Sequence, residues 1–458
     1  MKDLTQGKPI KVILSFAVPL YIGQLFQLGY SLIDTRIIGS TLGETSLAAV
    51  GATTSLSDLL IEFMNGVICG YGIIVATYFG AKDESRLRKS VGGTVVLSVG
   101  ITALLSVGCL ITLPQILSFL NVSPELVPEA YAYIKIIIAG LIATTLYNVC
   151  AAILRAMGDS FTPLVFLIIS NLLNIGLDYL LILQLDMGVT GAAVATIISQ
   201  TLSAILCFLY MRRKYPRIAL HTGDIALEKE LYRQLFPRGF SMGFMLSFVL
   251  MGSLVLQTAI NALGMNIIVA HTGARKATSL FLMIFFVLGT ALVTYCGQNL
   301  GAEEFGRIRQ GIRDTILLSL GWYLFVLLIV FTLSPAIINL ITASSEPEII
   351  DNAVLYLKVN TVFYFLPAVI CILRNSMQGF GDSRTPLTSS LVELVGKVLI
   401  AYLLVPNLEY MGVVLSEPVV WALMVIPLVV SMLRNPIVRK TKKINNHQTY
   451  NGITSGIS

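Results

Sequence analysis

Long apolar stretches alternate with short polar breaks along the whole chain. Each stretch has about 20 residues or more, which is enough for a helix to cross a bilayer. Transmembrane strands are disfavoured, because they alternate apolar and polar positions. We therefore predict an all-α integral membrane protein with twelve transmembrane helices, at approximately 10–38, 46–79, 88–113, 126–153, 161–184, 188–211, 233–262, 266–298, 310–334, 348–373, 385–405 and 411–433.

The composition supports this prediction. Of the 458 residues, 55% are hydrophobic and 12% are charged, whereas a soluble domain carries about 25% charged residues. A water-soluble enzyme is therefore excluded. The net charge of +6 does not indicate a nucleic-acid partner, because in a membrane protein Lys and Arg mark the cytoplasmic loops.

Basic residues alternate between the two sets of loops. Most of the 31 Lys and Arg residues fall on one side if there are twelve helices, Arg374 and Arg384 among them, whereas the opposite loops are acidic and hold only Arg36 as a basic residue. The positive-inside rule then places both termini in the cytoplasm. We predict an N-terminal six-helix lobe, 1–211, a cytoplasmic linker, 212–232, a C-terminal six-helix lobe, 233–433, and a basic, disordered cytoplasmic tail, 434–458.

The two halves resemble each other. Residues 158–164 read GDSFTPL and residues 381–387 read GDSRTPL, and GAKDESRLRKS (80–90) likewise matches GAEEFGRIRQG (301–311). Each half has an even number of spans, so we expect the lobes to be parallel repeats related by a pseudo-twofold axis along the membrane normal. We interpret GDSxTPL as a helix-connecting turn, with Gly ending one helix and Asp or Ser capping the next.

Polar side chains within the N-terminal half carry the candidate chemistry. They recur at spacings of three or four, so that each set shares one helix face. Carboxylate, amide and hydroxyl oxygens suit Na+ or a shared proton, although such groups can also simply hold helices together. The candidates are Gln27, Tyr30 and Asp34 on the first helix, Asn171, Asn174 and Asp178 on the fifth, and Thr196, Ser199 and Gln200 on the sixth. Pro19 is expected to kink the first helix.

Other intramembrane charges are candidates for a cavity or a substrate path, because a charge at the bilayer centre is costly. Glu393 and Lys397 are spaced to form an ion pair, and Arg275 and Lys276 are placed to attract anions or to balance nearby carboxylates. The further charged residues within apolar helices include Asp58, Glu62 and Glu417. His271 is the only intramembrane histidine, and we interpret it as a packing residue.

These features together resemble the multidrug and toxic compound extrusion (MATE) family over about residues 8–433. The resemblance rests on Pro19 and Asp34 followed by LAAVGA (47–52), on LRAMGDSFTP (154–163), on NLLNIGLDYL (171–180), and on the QNLGAEEFGRIRQG (298–311) and RNSMQGFGDSRTP (374–386) segments. LSEPVVW (415–421) is similar to Gram-positive members, and the overall pattern is most similar to DinF-like and Gram-positive bacterial members.

The resemblance implies a function and a site. MATE proteins have two six-helix lobes and export organic, often cationic, compounds by alternating access in antiport with H+ or Na+. It places the coupling site of the N-terminal lobe at Asp34, Asn174, Asp178 and Thr196, with a hinge at Pro19. It also implies a bacterial cytoplasmic (inner) membrane. One departure is the seventh helix, which has no carboxylate, so we do not expect the C-terminal cation site of NorM-like members.

Two alternatives remain open at this point. A lipid-linked precursor flippase of the same superfamily would have a similar fold, and Arg275 and Lys276 keep that alternative open. An intramembrane enzyme has less support, because the chain carries neither DDxxD nor HExxH. We expect no enzymatic activity, no cofactor beyond the coupling ion and no metal beyond Na+. The expected partners are the lipid bilayer and small organic substrates, and the protein is expected to act as a monomer.

Overall fold

The structure is a computed structural model that describes residues 3–218, 228–344 and 346–439. Within these ranges the chain is helical. The helices are α1 Pro9–Leu42, α2 Glu44–Gly80, α3 Glu84–Ile111, α4 Leu113–Phe119, α5 Val127–Ala139, α6 Leu141–Ala156, α7 Phe161–Asp178, α8 Gly188–Lys214, α9 Lys229–Asn261, α10 Met265–Gly301, α11 Phe305–Thr342, α12 Pro347–Val362, α13 Phe365–Gly379, α14 Arg384–Leu399, α15 Val405–Leu408 and α16 Tyr410–Arg434.

The number of membrane spans agrees with the sequence prediction. Ten stretches are long and apolar enough to cross a membrane singly, and two bent helix pairs raise the number to twelve when each pair is counted as one span. The predicted all-α fold with twelve transmembrane helices is thus confirmed.

Irregular features recur at matching places in the two halves. The fourth span is the pair α5 and α6, bent by 42°, and the tenth is the pair α12 and α13, bent by 55°. A π-helical turn follows α7 at Tyr179–Gln184, and another follows α14 at Ile400–Leu404. Such irregularities have local causes, so their recurrence supports an internal duplication.

The GDSxTPL segments form equivalent turns. Asp159 accepts hydrogen bonds from the backbone N–H of Thr162 (3.0 Å) and from its hydroxyl (2.7 Å). Asp382 does the same with Thr385, at 3.1 and 2.7 Å. Each aspartate therefore satisfies donors at the start of a helix that would otherwise lack partners. The predicted turn is confirmed.

The chain forms two compact units. The first comprises Ser15–Ser247 with Asp3, and the second comprises Leu4–Leu14 with the described residues from Phe248 onward. Both α1 and α9 therefore contribute to each unit. Part of the predicted linker, 219–227, and the tail from 440 onward lie outside the described residues, so the expected disorder of the tail remains a prediction there.

Within the first unit, α2 packs directly against the beginning of α9 through glycines. A Cβ atom at Gly66 would lie 2.5 Å from the Met242 carbonyl oxygen, and one at Gly70 would lie 2.5 Å from that of Arg238. On α9, a Cβ at Gly239 would collide with Tyr71. Small residues spaced four apart allow this close backbone approach between membrane helices.

The N-terminal segment Leu4–Leu14 is held within the second unit by polar contacts to α10 and α11. The Leu4 N–H donates to Oε1 of Gln298 (3.0 Å), and Nδ2 of Asn299 donates to the Leu4 carbonyl (3.2 Å). The Arg307 guanidinium donates to the carbonyls of Gly7 (2.8 Å) and Leu4 (3.2 Å). These bonds fix the chain just before α1 begins.

Candidate functional site

The N-terminal polar residues converge in the first unit, where α1, α7 and α8 meet. The Asn174 amide forms hydrogen bonds to three of these residues. With its nitrogen facing the two neighbouring acceptors, Asn174 donates to the Tyr30 hydroxyl (2.6 Å) and to Oδ2 of Asp178 (3.0 Å), and its oxygen accepts from the Thr196 backbone N–H (3.1 Å). This orientation satisfies every hydrogen bond of the amide and is assigned on that basis.

Two carboxyl groups face each other in this site. Asp34 on α1 and Asp178 on α7 lie within hydrogen-bonding reach of each other. Asp178 is fully buried, and its Oδ1 has no hydrogen-bond partner among the described residues. Within that part of the chain, no ion pair joins either carboxyl to Lys or Arg. Two adjacent carboxylates cannot both hold a full charge there without a cation.

The helix geometry explains why these residues meet. Asn174 and Asp178 are one turn apart on α7, and Tyr30 and Asp34 are one turn apart on α1, so each pair presents two polar groups on one face. Thr196 lies on α8, which packs along α7. The Thr196 hydroxyl donates to the carbonyl of Ala192 (3.1 Å), and the same hydroxyl oxygen lies beside Tyr30.

Among the described residues, the other N-terminal candidates make no hydrogen bond to this cluster. Gln27 on α1 is exposed, and so are Asp58 and Glu62 on α2. Glu62 accepts a hydrogen bond from Nδ2 of Asn65 (3.4 Å). Asn171, one turn before Asn174, is buried, and its Nδ2 has no partner among the described residues.

Pro19 lies inside α1, which continues through it from Pro9 to Leu42. A proline within a helix removes one backbone hydrogen bond and weakens the helix locally. Helix α1 belongs to the second unit up to Leu14 and to the first unit from Ser15 onward. Pro19 lies about one helical turn after this boundary.

The second unit contains a charge network of five residues, of which four are buried and Arg275 is partly exposed. The five are Arg275, Arg374, Glu393, Lys397 and Glu417. Nη1 of Arg275 donates to Oε1 of Glu417 (2.9 Å), which lies 3.3 Å from Nζ of Lys397. Lys397 donates to Oε1 of Glu393 (3.0 Å), and Oε2 of Glu393 lies 4.0 Å from Nη1 of Arg374. The predicted pair Glu393–Lys397 is thus present, but it is the middle of a longer chain of charges.

The sequence interpretation of Arg374 was wrong. It was assigned to a cytoplasmic loop, whereas it lies within α13, is 5% exposed and donates to the Ser390 hydroxyl (3.0 Å). Its partner Glu393 lies on α14, so no local sequence pattern shows the pairing. Lys276, in contrast, is exposed on α10 and takes part in none of the network's ion pairs.

Comparison with known proteins identifies the family. The sequence model of the MatE family matches residues 19–180 and 242–403, which together exceed half of the chain. The chain belongs to the MATE family. The two matched ranges also coincide with the two halves of the internal repeat, so the family assignment and the duplication agree.

Individual MATE relatives match over most of their length. The chain is 29% identical over 420 residues to the probable multidrug resistance protein YoeA of Bacillus subtilis (strain 168), covering 89% of this chain and 90% of that protein. It is 25% identical over 425 residues to the multidrug export protein MepA of Staphylococcus aureus (strain MW2), covering 91% and 90% respectively. The predicted resemblance to Gram-positive MATE proteins is therefore confirmed.

A solved MATE structure shows the same fold. An outward-facing conformation of a multidrug resistance MATE family transporter is similar to this chain, with a TM-score of 0.87 and 23% identity, covering 96% of this chain and 99% of that one. The chain therefore has the MATE fold, and together with the family assignment this makes the protein a multi-pass membrane transporter.

Proposed function

We propose that this MATE protein exports organic, often cationic, compounds across a bacterial cytoplasmic membrane in antiport with H+ or Na+. The names of the relatives support multidrug export. The main support for the coupling site is that the Asp34 and Asp178 carboxyls lie beside each other. Asn174 links Asp178 to Tyr30 and Thr196 by hydrogen bonds. We propose further that both termini are cytoplasmic and that the cycle needs no cofactor beyond the coupling ion.

The proposed coupling follows from charge. When the site releases its H+ or Na+, Asp34 and Asp178 become mutually repulsive and attract an organic cation. When the ion binds, the repulsion ends and α1 packs against α7 through Asn174. Each ligand state then favours a different arrangement of α1, as antiport requires. Pro19 is the proposed hinge, because the helix has lost a hydrogen bond there.

The test is gradient-driven export from proteoliposomes. Ethidium, an aromatic cation, is followed while either a pH gradient or a Na+ gradient is imposed. Wild-type protein should export with at least one of the gradients, and Asp34→Asn should slow export at least about tenfold, which is a rise of about 1.4 kcal/mol or more in the activation free energy of transport. The matched control is Glu125→Gln, which removes one exposed carboxylate from the same unit and should export normally.

Two results would count against this assignment. Wild-type-like export by a well-expressed Asp34→Asn protein would remove Asp34 from the coupling site. Failure of the wild-type protein to export ethidium under either gradient would contradict cation antiport itself.

A further inference from the structure

We propose that the beginning of α9 carries a binding site for an anionic phospholipid of the cytoplasmic leaflet. Lys229, Tyr232 and Arg233 surround the headgroup phosphate, and the phenylalanines that follow contact an acyl chain. The lipid is a bound ligand and not a transported molecule, so the inference goes beyond the proposed function. It shares one premise with that function, namely that the linker preceding α9 is cytoplasmic.

A surface cavity of about 460 Å³ lies at the beginning of α9. It is lined by Lys229, Tyr232, Arg233 and Phe236, all of which belong to the first unit. Binding sites for small molecules have volumes of about 300–1,000 Å³ and combine apolar walls with a few polar groups. The size and the lining of this cavity therefore suit a polar headgroup that continues into an apolar chain.

The two cations of the cavity have no anionic partner in the part of the chain that the structure describes. Lys229 and Arg233 are exposed, and neither takes part in an ion pair there. Glu228 is held by Nζ of Lys89 at 2.6 Å, and Glu230 pairs with neither cation. Because Lys229 and Arg233 are one turn apart on the same face of α9, both can bind one phosphate group.

The Tyr232 hydroxyl is a hydrogen-bonding group that the protein leaves unused. Its oxygen is buried, and no described residue bonds to it. Such an unpaired buried atom is unfavourable. Since Tyr232 lines the same cavity as Lys229 and Arg233, rotation of its side chain into the cavity would give the hydroxyl a phosphate oxygen as acceptor.

Three phenylalanines continue this face of α9 beyond the cavity. Phe236, Phe240 and Phe244 are spaced four apart, so their rings lie above one another. The rings of Phe236 and Phe240 stack with centroids 4.2 Å apart, and Phe63 of α2 packs edge-on against Phe240 (6.0 Å) and Phe244 (5.5 Å). Phe236 is 50% exposed and Phe244 is 43% exposed. Packing against α2 thus holds the rings in place and leaves an apolar strip open.

The order of these groups matches a phospholipid better than a free phosphate. The cations come first, next to the linker that is predicted to be cytoplasmic, and the apolar strip follows. From Arg233 to Phe244 the helix rises by about 16 Å, which is close to the half-thickness of the hydrocarbon core, about 15 Å. Basic groups at the cytoplasmic surface attract anionic lipids. An anionic headgroup at the cations therefore places its acyl chain along the phenylalanines.

The test is native mass spectrometry of the full-length protein, released from detergent micelles and titrated with dioleoylphosphatidylglycerol. Wild-type protein should bind the first phosphatidylglycerol at least about tenfold more tightly than dioleoylphosphatidylcholine. The double variant Lys229→Gln, Arg233→Gln should weaken phosphatidylglycerol binding about thirtyfold, because each basic residue near an anionic lipid contributes about fivefold.

Two further variants separate the headgroup from the acyl chain. The matched control is the double variant Arg212→Gln, Arg213→Gln, which removes two exposed cations of the same unit from the end of α8, outside the cavity. It should bind phosphatidylglycerol within about twofold of wild type. Phe236→Ala keeps both cations of the cavity and should weaken phosphatidylglycerol binding about threefold, since part of the apolar contact is lost.

Four results would overturn the proposal. The first is equal affinity of the wild-type protein for phosphatidylglycerol and phosphatidylcholine. The second is an equal loss of affinity in the two double variants, and the third is unchanged affinity in Phe236→Ala. The fourth is displacement of the lipid by an excess of inorganic phosphate, which would reassign the cavity to a soluble phosphate.

The outcome is separable from that of the proposed function. Gradient-driven ethidium export tests cation antiport, whereas lipid binding is measured in detergent without a gradient. Ethidium export together with phosphatidylglycerol binding that does not depend on Lys229 and Arg233 would sink this inference alone. Lipid binding that depends on both cations, without ethidium export, would sink the cation antiport and leave the lipid site standing.

Discussion

The charge network makes a quantitative prediction about stability that separates a shared network from independent ion pairs. The perturbations are Lys397→Met, Glu393→Gln and the combination of the two. Lys397→Met leaves Glu393 with only Arg374, at 4.0 Å. Glu393→Gln raises the net charge of the network from +1 to +2. The double variant restores +1 and leaves Glu417 paired with Arg275 at 2.9 Å.

The expected magnitudes follow from these distances. Breaking one partner of a buried ion pair costs about 3–5 kcal/mol, so each single variant should lose that much stability. Besides the pair itself, the double variant loses the long contact of Arg374 and the Lys397–Glu417 contact at 3.3 Å. Glu417 keeps Arg275 and Arg374 keeps the Ser390 hydroxyl, so about 1–2 kcal/mol is expected by the lower values for weak pairs. The coupling between the two positions should therefore exceed about 2 kcal/mol.

The assay is reversible unfolding of purified protein in mixed micelles, followed by circular dichroism as the denaturing detergent is increased. Lys276→Met is the matched control, because Lys276 is exposed and outside the network, and it should change stability by less than about 0.5 kcal/mol. Additive losses in the double variant, to within about 0.5 kcal/mol, would refute the reasoning, since they would mean that Glu393 and Lys397 do not depend on each other.

Two further predictions concern packing and topology. Gly70→Ala should destabilise the protein by about 1–3 kcal/mol, because the added Cβ would lie 2.5 Å from the Arg238 carbonyl oxygen. The control is Gly100→Ala, which should be neutral or slightly stabilising, because no atom lies within 4 Å of the added carbon. Melting curves in detergent measure both, and equal effects would contradict the close α2–α9 contact. In a background without the six native cysteines, Thr222→Cys and Ser345→Cys should react with an impermeant thiol reagent from opposite sides of the membrane. Labelling of both from the same side would contradict the twelve-span topology.

The sequence predicted those features that depend on local patterns. Apolar length predicted the twelve spans, and the matching GDSFTPL and GDSRTPL segments predicted the equivalent turns at Asp159 and Asp382. One-face spacing on α1 and α7 predicted that Asp34, Asn174 and Asp178 would share a site, because helical periodicity fixes which side chains neighbour each other.

Features that depend on contacts between distant segments could not be predicted. Arg374 was assigned to a loop because the predicted apolar span ended at 373, and its partner Glu393 lies on another helix, so no local pattern shows that they pair. The anchoring of Leu4 to Gln298 leaves no sequence signal, since it uses backbone groups and ordinary amides. The bend between α5 and α6 was also not predicted, because the apolar stretch continues without interruption across Gly140.

The carboxyl pair of the first unit has a consequence for the electrical behaviour of transport. Asp34 and Asp178 form a single site with no Lys or Arg paired to it among the described residues, and the simplest form of the proposed cycle exchanges one H+ or Na+ for one substrate. For a monovalent organic cation this exchange moves no net charge, and the membrane potential gives it no drive. For an organic molecule with no net charge, such as a zwitterion, one positive charge enters per molecule exported, so each 100 mV of inside-negative potential adds about 2.3 kcal/mol of driving force. Under this scheme, collapsing the potential with valinomycin and K+ would slow the export of zwitterions and leave that of monovalent cations unchanged.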